Sequence, residues 1–273
     1  MGQYLQSVIM GVIEGLTEFL PISSTGHMII AQPLLGIDPQ EPTWRVFLYV
    51  SQLGAILAVV VYFWRDLLRR VLSRPAGGWH QHLLVKLGVA MVPTVLLGLL
   101  LNDFMEAHFE NPRTGPPATA AALIVGAGAI LFIDRRWRTG PIESIDQVNL
   151  RQALLVGLIQ CLAMWPGTSR SAATIMGGMV LGMRPRVATE FSFYLAIPTM
   201  LAAGGYRLLK YHGDLTRENA AVVGLGTAVA FGVALAVVAM FMQYVRKRRF
   251  TPFAIYRVAL GLAVLAWYYT RGG

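Results

Sequence analysis

Charge is scarce in this chain. Of its 273 residues only 14% are Asp, Glu, Lys or Arg, where a soluble globular domain carries about a quarter. With 55% hydrophobic residues, that shortage argues against a large soluble helical core, which needs polar faces that the apolar runs here lack. Cysteine is nearly absent. Cys161 stands alone, which excludes an internal disulfide and says nothing about compartment. No Gly-x-x-x-x-Gly-Lys-Ser/Thr pattern occurs, so nucleotide binding through a P-loop is not supported. The start, Met-Gly-Gln-Tyr-Leu-Gln, lacks the basic residues of a secretory leader, and Glu14 and Glu18 interrupt the apolar stretch that follows; the segment is read as mature protein. Gly2 invites myristoylation, but Gln6 stands where Ser or Thr is needed.

What the chain does have is long apolar runs. Those at 46–64, 83–101, 118–133, 187–206, 220–243 and 253–269 each approach the ~20 residues that cross a bilayer as a helix. They are rich in Gly and Ala, which suits close helix packing in lipid. The expectation is an all-α polytopic membrane protein of one domain.

Two further segments resemble each other. Gly11-Val-Ile-Glu14 leads to Pro21 and a hydroxyl-rich stretch, and Gly157-Leu-Ile-Gln160 leads to Pro166 and another; both close on Leu-Gly, at Gly36 and Gly182. Phe47 and Phe191 then open spans at similar distances, and Pro112 and Pro252 each precede the last span of a half. The chain therefore divides into repeat halves of about 1–135 and 150–273, each a broken segment plus three spans. On either side of its Pro the broken segment is too short to cross, and irregular backbone at membrane depth is tolerated only inside protein or beside a wet cavity. Residues 7–36 and 151–182 are accordingly predicted to be re-entrant helical hairpins. Three spans per half is an odd number, so the second half is expected upside down relative to the first.

Charge distribution supports that layout. The formal net charge is +9, which in a soluble protein would raise nucleic-acid binding; here the basic residues crowd into short loops, and no nucleic-acid partner is expected. One side receives Arg65, Arg69, Arg70, Arg74, Arg135, Arg136, Arg138, Arg151, Arg184, Arg186, Arg246, Lys247, Arg248 and Arg249, the other only Arg45, Arg113, Arg207, Lys210, Arg217 and Arg271. The richer side is the cytoplasmic one. Both termini and the first hairpin then face outward, the second hairpin enters from the cytoplasm, and the two tips meet near the midplane.

The chemistry lies at those tips. Glu14 and Glu18 are four apart, on one helical face. Two such carboxylates require a cation, a shared proton or basic partners, and a hard divalent ion such as Mg²⁺, completed by phosphate oxygens, suits them. Ser23, Ser24, Thr25 and Gly26 follow Pro21 and open a new helical stretch, whose hydroxyls and free N–H groups suit phosphate. His27, one turn past Ser24, is expected to take a proton from Ser24 or from a water. The second tip offers Gly167, Ser169, Arg170, Ser171 and Thr174, with Arg170 as the group to grip phosphate or to neutralise Glu14 or Glu18. Elsewhere, Lys86 and Arg257 lie near span ends, where long side chains snorkel, with Arg257 close enough to the core to be watched. Glu190 and Gln52 are candidate supporting groups. His80, His82, His108 and His212 read as loop residues.

The stretch Glu14-Gly-Leu-Thr-Glu18-Phe-Leu-Pro-Ile-Ser-Ser-Thr-Gly-His27 resembles the signature of the undecaprenyl-diphosphatase family, also called bacitracin-resistance proteins. Pro166-Gly-Thr-Ser-Arg170-Ser-Ala-Ala-Thr174 is similar to the family's second motif, and Pro252-Phe-Ala-Ile-Tyr-Arg257 to its carboxy-terminal block. Ala172 departs from the Gly expected there. The resemblance implies hydrolysis of undecaprenyl diphosphate to undecaprenyl phosphate and inorganic phosphate at the outer face of the bacterial inner membrane. It implies a role in cell-wall synthesis and bacitracin resistance, and dependence on a divalent cation, Mg²⁺ or Ca²⁺. The catalytic set is then Glu14, Glu18, Ser24, His27 and Arg170, with Glu14 and Glu18 on the cation and Ser23, Thr25, Gly26, Gly167, Ser169, Ser171 and Thr174 on the substrate. The nucleophile is left open between Ser24 and a water activated by His27. A polyprenyl-phosphate flippase, alone or combined with the phosphatase, is the alternative, and homodimerisation is left open.

Overall fold

The computed structural model describes residues 1–73, 75, 78–109 and 114–270, with 102–109 followed in backbone alone. Arg74, Pro112, Arg113, Arg271 and the side chain of His108 lie outside the described residues. Among the described residues ten α-helices follow in order: α1 Gln3–Thr17, α2 Ser24–Leu34, α3 Pro42–Leu72, α4 Leu83–Phe109, α5 Gly115–Arg136, α6 Leu150–Gln160, α7 Arg170–Val180, α8 Pro185–Lys210, α9 Ala220–Lys247 and α10 Thr251–Thr270. Among the described residues the one β feature is an isolated bridge between Ile142 and Met183. Among the described residues six helices are long and apolar enough to cross a bilayer: α3, α4 over Leu83–Leu101, α5, α8, α9 and α10. Leu99, Leu100, Val125, Phe132 and Leu262 stand exposed, the ordinary state of a large apolar side chain whose solvent is lipid. Several helices run past the apolar runs that announce them, into ends rich in Arg and Lys such as Arg69, Arg70, Arg135, Arg136, Arg246 and Lys247.

The order is two short helices and three long ones, twice. The breaks in the short pairs have a simple cause. A proline ring clashes with the carbonyl four residues upstream. Pro21 therefore ends α1 at Thr17, earlier than the apolar stretch itself suggests. Pro166 acts alike: α6 ends at Gln160 and tightens to a 3₁₀ turn over Cys161–Met164. Each second short helix begins after a serine in the left-handed region, Ser23 at φ 71° and Ser169 at φ 70°. Such backbone is uncommon outside glycine and concentrates at functional sites.

Packing pairs the halves crosswise. α1 lies on α9 and α6 on α4; α2 lies on α10 and α7 on α5; α3 meets α8, and α5 meets α10. Close approach is built in at matching places: a methyl at Gly11 would overlap the backbone of Gly226, and one at Gly157 the backbone of Ala90.

The ends of the two hairpins lie at different faces. Gln6 donates to Leu35 O, and Ser7 to Val222 O, beside the region where Arg45 pairs with Asp214 at 2.7 Å and Asn219 meets Thr43. Gln152 instead donates to Leu181 O, beside the 137–149 connection. There Arg138 reaches Arg248 O, Arg184 N reaches Ile142 O and Arg70 pairs with Asp146 at 2.5 Å.

Two expectations about charged side chains are corrected. Lys86 and Arg257 do not snorkel; they are 1% and 0% exposed. Lys86 donates to the carbonyls of Ile145 and Asp146, each at 3.0 Å, because the loop folds over its end of α4. Nor does Glu190 support the hairpin tips: it lies 3.8 Å from Arg70 and accepts from Tyr194, in the charged cluster at the 137–149 face.

Candidate active site

Glu18, the first residue past α1, joins the two halves. Its Oε2 accepts from Ser24 Oγ at 2.9 Å, and its Oε1 accepts from Arg170 Nη2 at 3.1 Å. The guanidinium lies over the Phe19 ring and donates to Ser192 O and Met200 Sδ on α8. Its buried Nε has no hydrogen-bond partner, so a donor remains for an anion. One turn back on α1, Glu14 is buried, and its Oε1 also has no partner.

His27 is placed differently from the sequence-based expectation. Its Nδ1 lies 2.7 Å from Ser23 O and its Nε2 2.8 Å from Tyr256 Oη; it does not bond to Ser24. A carbonyl only accepts, so Nδ1 carries a proton, and in neutral imidazole Nε2 then accepts from the phenol. Tyr256 stacks on the imidazole at 5.5 Å. The helix explains the difference. The His27 ring folds back one turn onto the carbonyl of Ser23, the residue before α2, while Ser24 turns toward Glu18.

The remaining predicted residues divide into two groups. Thr25 is exposed at the start of α2, whose first N–H groups are free for an anion. Ser169 caps α7, accepting from Ala172 N at 3.3 Å. Ser171 is fully buried and donates to Leu20 O at 2.8 Å, tying one tip to the other; its single proton is thereby used, so Ser169 donates to Ser171. Thr174, also buried, donates to Arg170 O and receives the Ser192 hydroxyl at 2.6 Å. Gly26 packs against Leu123 and Leu260, and a methyl at Gly167, φ 86°, would overlap Thr119 O. Ser23, Gly26, Gly167, Ser171 and Thr174 thus pack within or between the tips, while Ser24 and Arg170 meet at Glu18 and His27 is turned to Tyr256. Tyr256, Ser192 and Met200 were not singled out from sequence. Only Tyr256 had a signal, its place in the block that ends at Arg257.

Among the described residues no three His, Cys, Asp or Glu side chains form a metal-ligand cluster. Two carboxylates, one with a buried unpartnered oxygen, still match the way Mg²⁺ is held, by one or two carboxylates plus substrate phosphate.

Fold and site together define a polytopic membrane protein in which two broken helices meet at a carboxylate, a hydroxyl and a guanidinium. Residues 7–263 match the family described as Bacitracin resistance protein BacA, and the chain belongs to that family. It is 44% identical over 278 residues to a protein of Novosphingobium aromaticivorans, covering 98% of both chains. It is 42% identical over 266 residues to one of Polaromonas naphthalenivorans, covering 96% of this chain and 94% of the other. It is 40% identical over 264 residues to one of Fusobacterium nucleatum, covering 96% and 99%. Each of the three is named undecaprenyl-diphosphatase.

Proposed function

We propose that this protein is a bacterial inner-membrane phosphatase that hydrolyses undecaprenyl diphosphate to undecaprenyl phosphate and inorganic phosphate. The observation that carries this reading is Glu18, which receives the Ser24 hydroxyl from one hairpin and the Arg170 guanidinium from the other. A hydroxyl on a carboxylate is a nucleophile with its base in place. A guanidinium with an unused donor stabilises charge on phosphate. The names of the relatives supply the substrate. A pure lipid flippase has no need of a hydroxyl and base arranged in this way.

In the first step Ser24 Oγ attacks the terminal phosphorus. The Oγ–P bond forms as the bond from phosphorus to the bridging oxygen breaks, the hydroxyl proton passes to Glu18, and undecaprenyl phosphate leaves. In the second, water attacks the seryl phosphate, giving its proton to His27 Nε2 once Tyr256 yields. Phosphate departs, Ser24 regains its proton from Glu18, and His27 gives up its proton to the departing phosphate or to bulk water. Glu14, with Glu18 beside it, would hold a divalent cation, Mg²⁺ or Ca²⁺. When bound, that ion neutralises charge on the diphosphate.

The halves are read as an inverted repeat. Support comes from the repeated helix order, the crosswise packing and the hairpin ends at different faces. With the basic 137–149 face toward the cytoplasm, the site opens outward and the amino terminus lies outside.

Phosphate release by purified protein in detergent tests the activity. Trapping of phosphate on Ser24, together with loss of kcat in Ser24→Ala, tests the covalent route. A Ser24→Ala protein that keeps most of its kcat rejects that route.

A further inference from the structure

Two arginines lie near the hairpin tips, Arg170 partly and Arg257 wholly buried, and they differ in one further respect. Arg170 has a donor to spare. Arg257, on α10, has none. It is 0% exposed and, among the described residues, has no carboxylate partner. Its Nε donates to Leu123 O at 3.2 Å, Nη1 to Pro21 O at 3.4 Å and Thr168 O at 3.1 Å, and Nη2 to Ala122 O and Gly167 O, each at 3.0 Å. A guanidinium has five N–H groups, and these five bonds use all of them. The acceptors belong to three separate pieces of chain: α5, the first tip and the second tip.

We infer that Arg257 is a positioning residue for the reaction: it clamps both hairpin tips to α5 at one spacing, so that Ser24 and Arg170 face each other across the substrate phosphate, and it does not bind substrate. This rests on the phosphatase reading above. A substrate ligand needs a free N–H, and Arg257 has none. The second tip is held by two successive carbonyls, Gly167 O and Thr168 O. In a trans peptide C=O and N–H point in opposite directions. Fixing Thr168 O therefore fixes the plane from which Ser169 enters its φ 70° conformation and from which Arg170 departs. Pro21 O is held likewise, two residues before Ser23. Lysine cannot substitute, since three donors cannot serve five acceptors spread over three segments. Gly126 belongs to the same device, because a methyl there would overlap Arg257 Nη2.

The test compares wild type, Arg257→Lys, Gly126→Ala and the double variant in detergent. It measures phosphate release from undecaprenyl diphosphate, thermal melting, and the distance between spin labels placed at Leu34 and Leu162, both exposed, in a Cys161→Ser background. Displaced reacting groups are expected to cost about 100-fold in kcat in each single variant. KM should stay within about threefold, since no substrate contact is lost. The label distances should broaden, and the double variant should be no worse than Arg257→Lys alone, as for two changes in one contact. If Arg257→Lys does not fold, Gly126→Ala decides on the same readings. A raised KM at unchanged kcat would make Arg257 a substrate ligand and overturn the inference. So would an unchanged kcat in both variants, or lost kcat with label distances as narrow as wild type. Should wild type release no phosphate, the phosphatase reading fails by itself, and the label distances still decide whether Arg257 clamps the tips.

Discussion

Replacing Glu18 by Gln changes few atoms and reverses the polarity of the site. In the native protein both carboxylate oxygens accept, one from Ser24 at 2.9 Å and one from Arg170 at 3.1 Å. A Gln side chain has one accepting oxygen and one donating nitrogen. The guanidinium can only donate, so it takes the oxygen. The amide N–H₂ then faces Ser24, whose hydroxyl turns round to accept, and its proton no longer rests on a base. Loss of a positioned general base removes about 10²–10⁴-fold in rate, or about 3–5 kcal/mol of barrier at 1.36 kcal/mol per decade. Arg170 and Glu18 are 15% and 10% exposed, so the buried guanidinium also loses its counter-charge. The cost in stability should stay below the ~3–5 kcal/mol of a fully buried broken pair, because the amide oxygen still accepts. The assay is steady-state phosphate release in detergent, with thermal melting in parallel to confirm a folded protein. A folded Glu18→Gln protein with more than about a tenth of wild-type kcat would refute the assignment of Glu18 as the base, since that loss is below the range for general-base removal.

Other expectations can be checked with the same preparations. Chelation should abolish phosphate release and Mg²⁺ restore it, while Glu14→Gln should raise the half-saturating cation concentration by about 10-fold or more, the scale of losing an important group at a metal site; unchanged cation dependence would remove Glu14 from the ion. Gly11→Val and Gly157→Val should each lower stability in a melting experiment by at least the ~1–3 kcal/mol of core overpacking, because the added carbons meet the backbones of Gly226 and Ala90; Gly88→Ala, with nothing within 4 Å, should melt like wild type or slightly above it.

How much of this was legible beforehand follows the range of each interaction. The six spans and the two broken segments depend on local features, apolar run length and a proline's effect on its own helix, and they could be read directly. The ends of α1 and α6 needed the further step of counting back four residues from Pro21, or of seeing the last turn tighten before Pro166. The identities of Ser24, Glu18, His27 and Arg170 were visible because polar groups in an apolar chain are conspicuous. Their partners were not. Sequence spacing suggested Ser24 with His27, three residues apart. The bonds formed are Ser24 with Glu18, across the turn, and His27 with Tyr256, 229 positions away. Arg257 and Lys86 sit near helix ends, so exposure was the natural expectation. Their burial depends on which carbonyls the tertiary fold leaves open, a property that no local pattern encodes.

The charges at the tips bear on how two arginines would serve the proposed diphosphate site. With both carboxyls ionised, as they would be on a cation, Glu14 and Glu18 bring two negative charges, and Arg170, the one of the two tip guanidiniums that keeps an unpartnered N–H, brings one positive charge. His27 adds none in its neutral form. A diphosphate entering this space therefore meets an excess of negative charge, which Arg257 cannot offset through direct contact because its donors are all occupied. Unpaired charge in a medium of low dielectric is costly, and the orphaned Glu14 Oε1 already shows one unsatisfied position before substrate arrives. A divalent cation held by Glu14 would resolve both problems together. It would supply the missing positive charge and give the buried oxygen a partner. On this argument the cation and the diphosphate bind each other's site, so each should tighten the other's binding by the same factor, whereas inorganic cation alone should bind weakly beside an Arg170 still paired with Glu18.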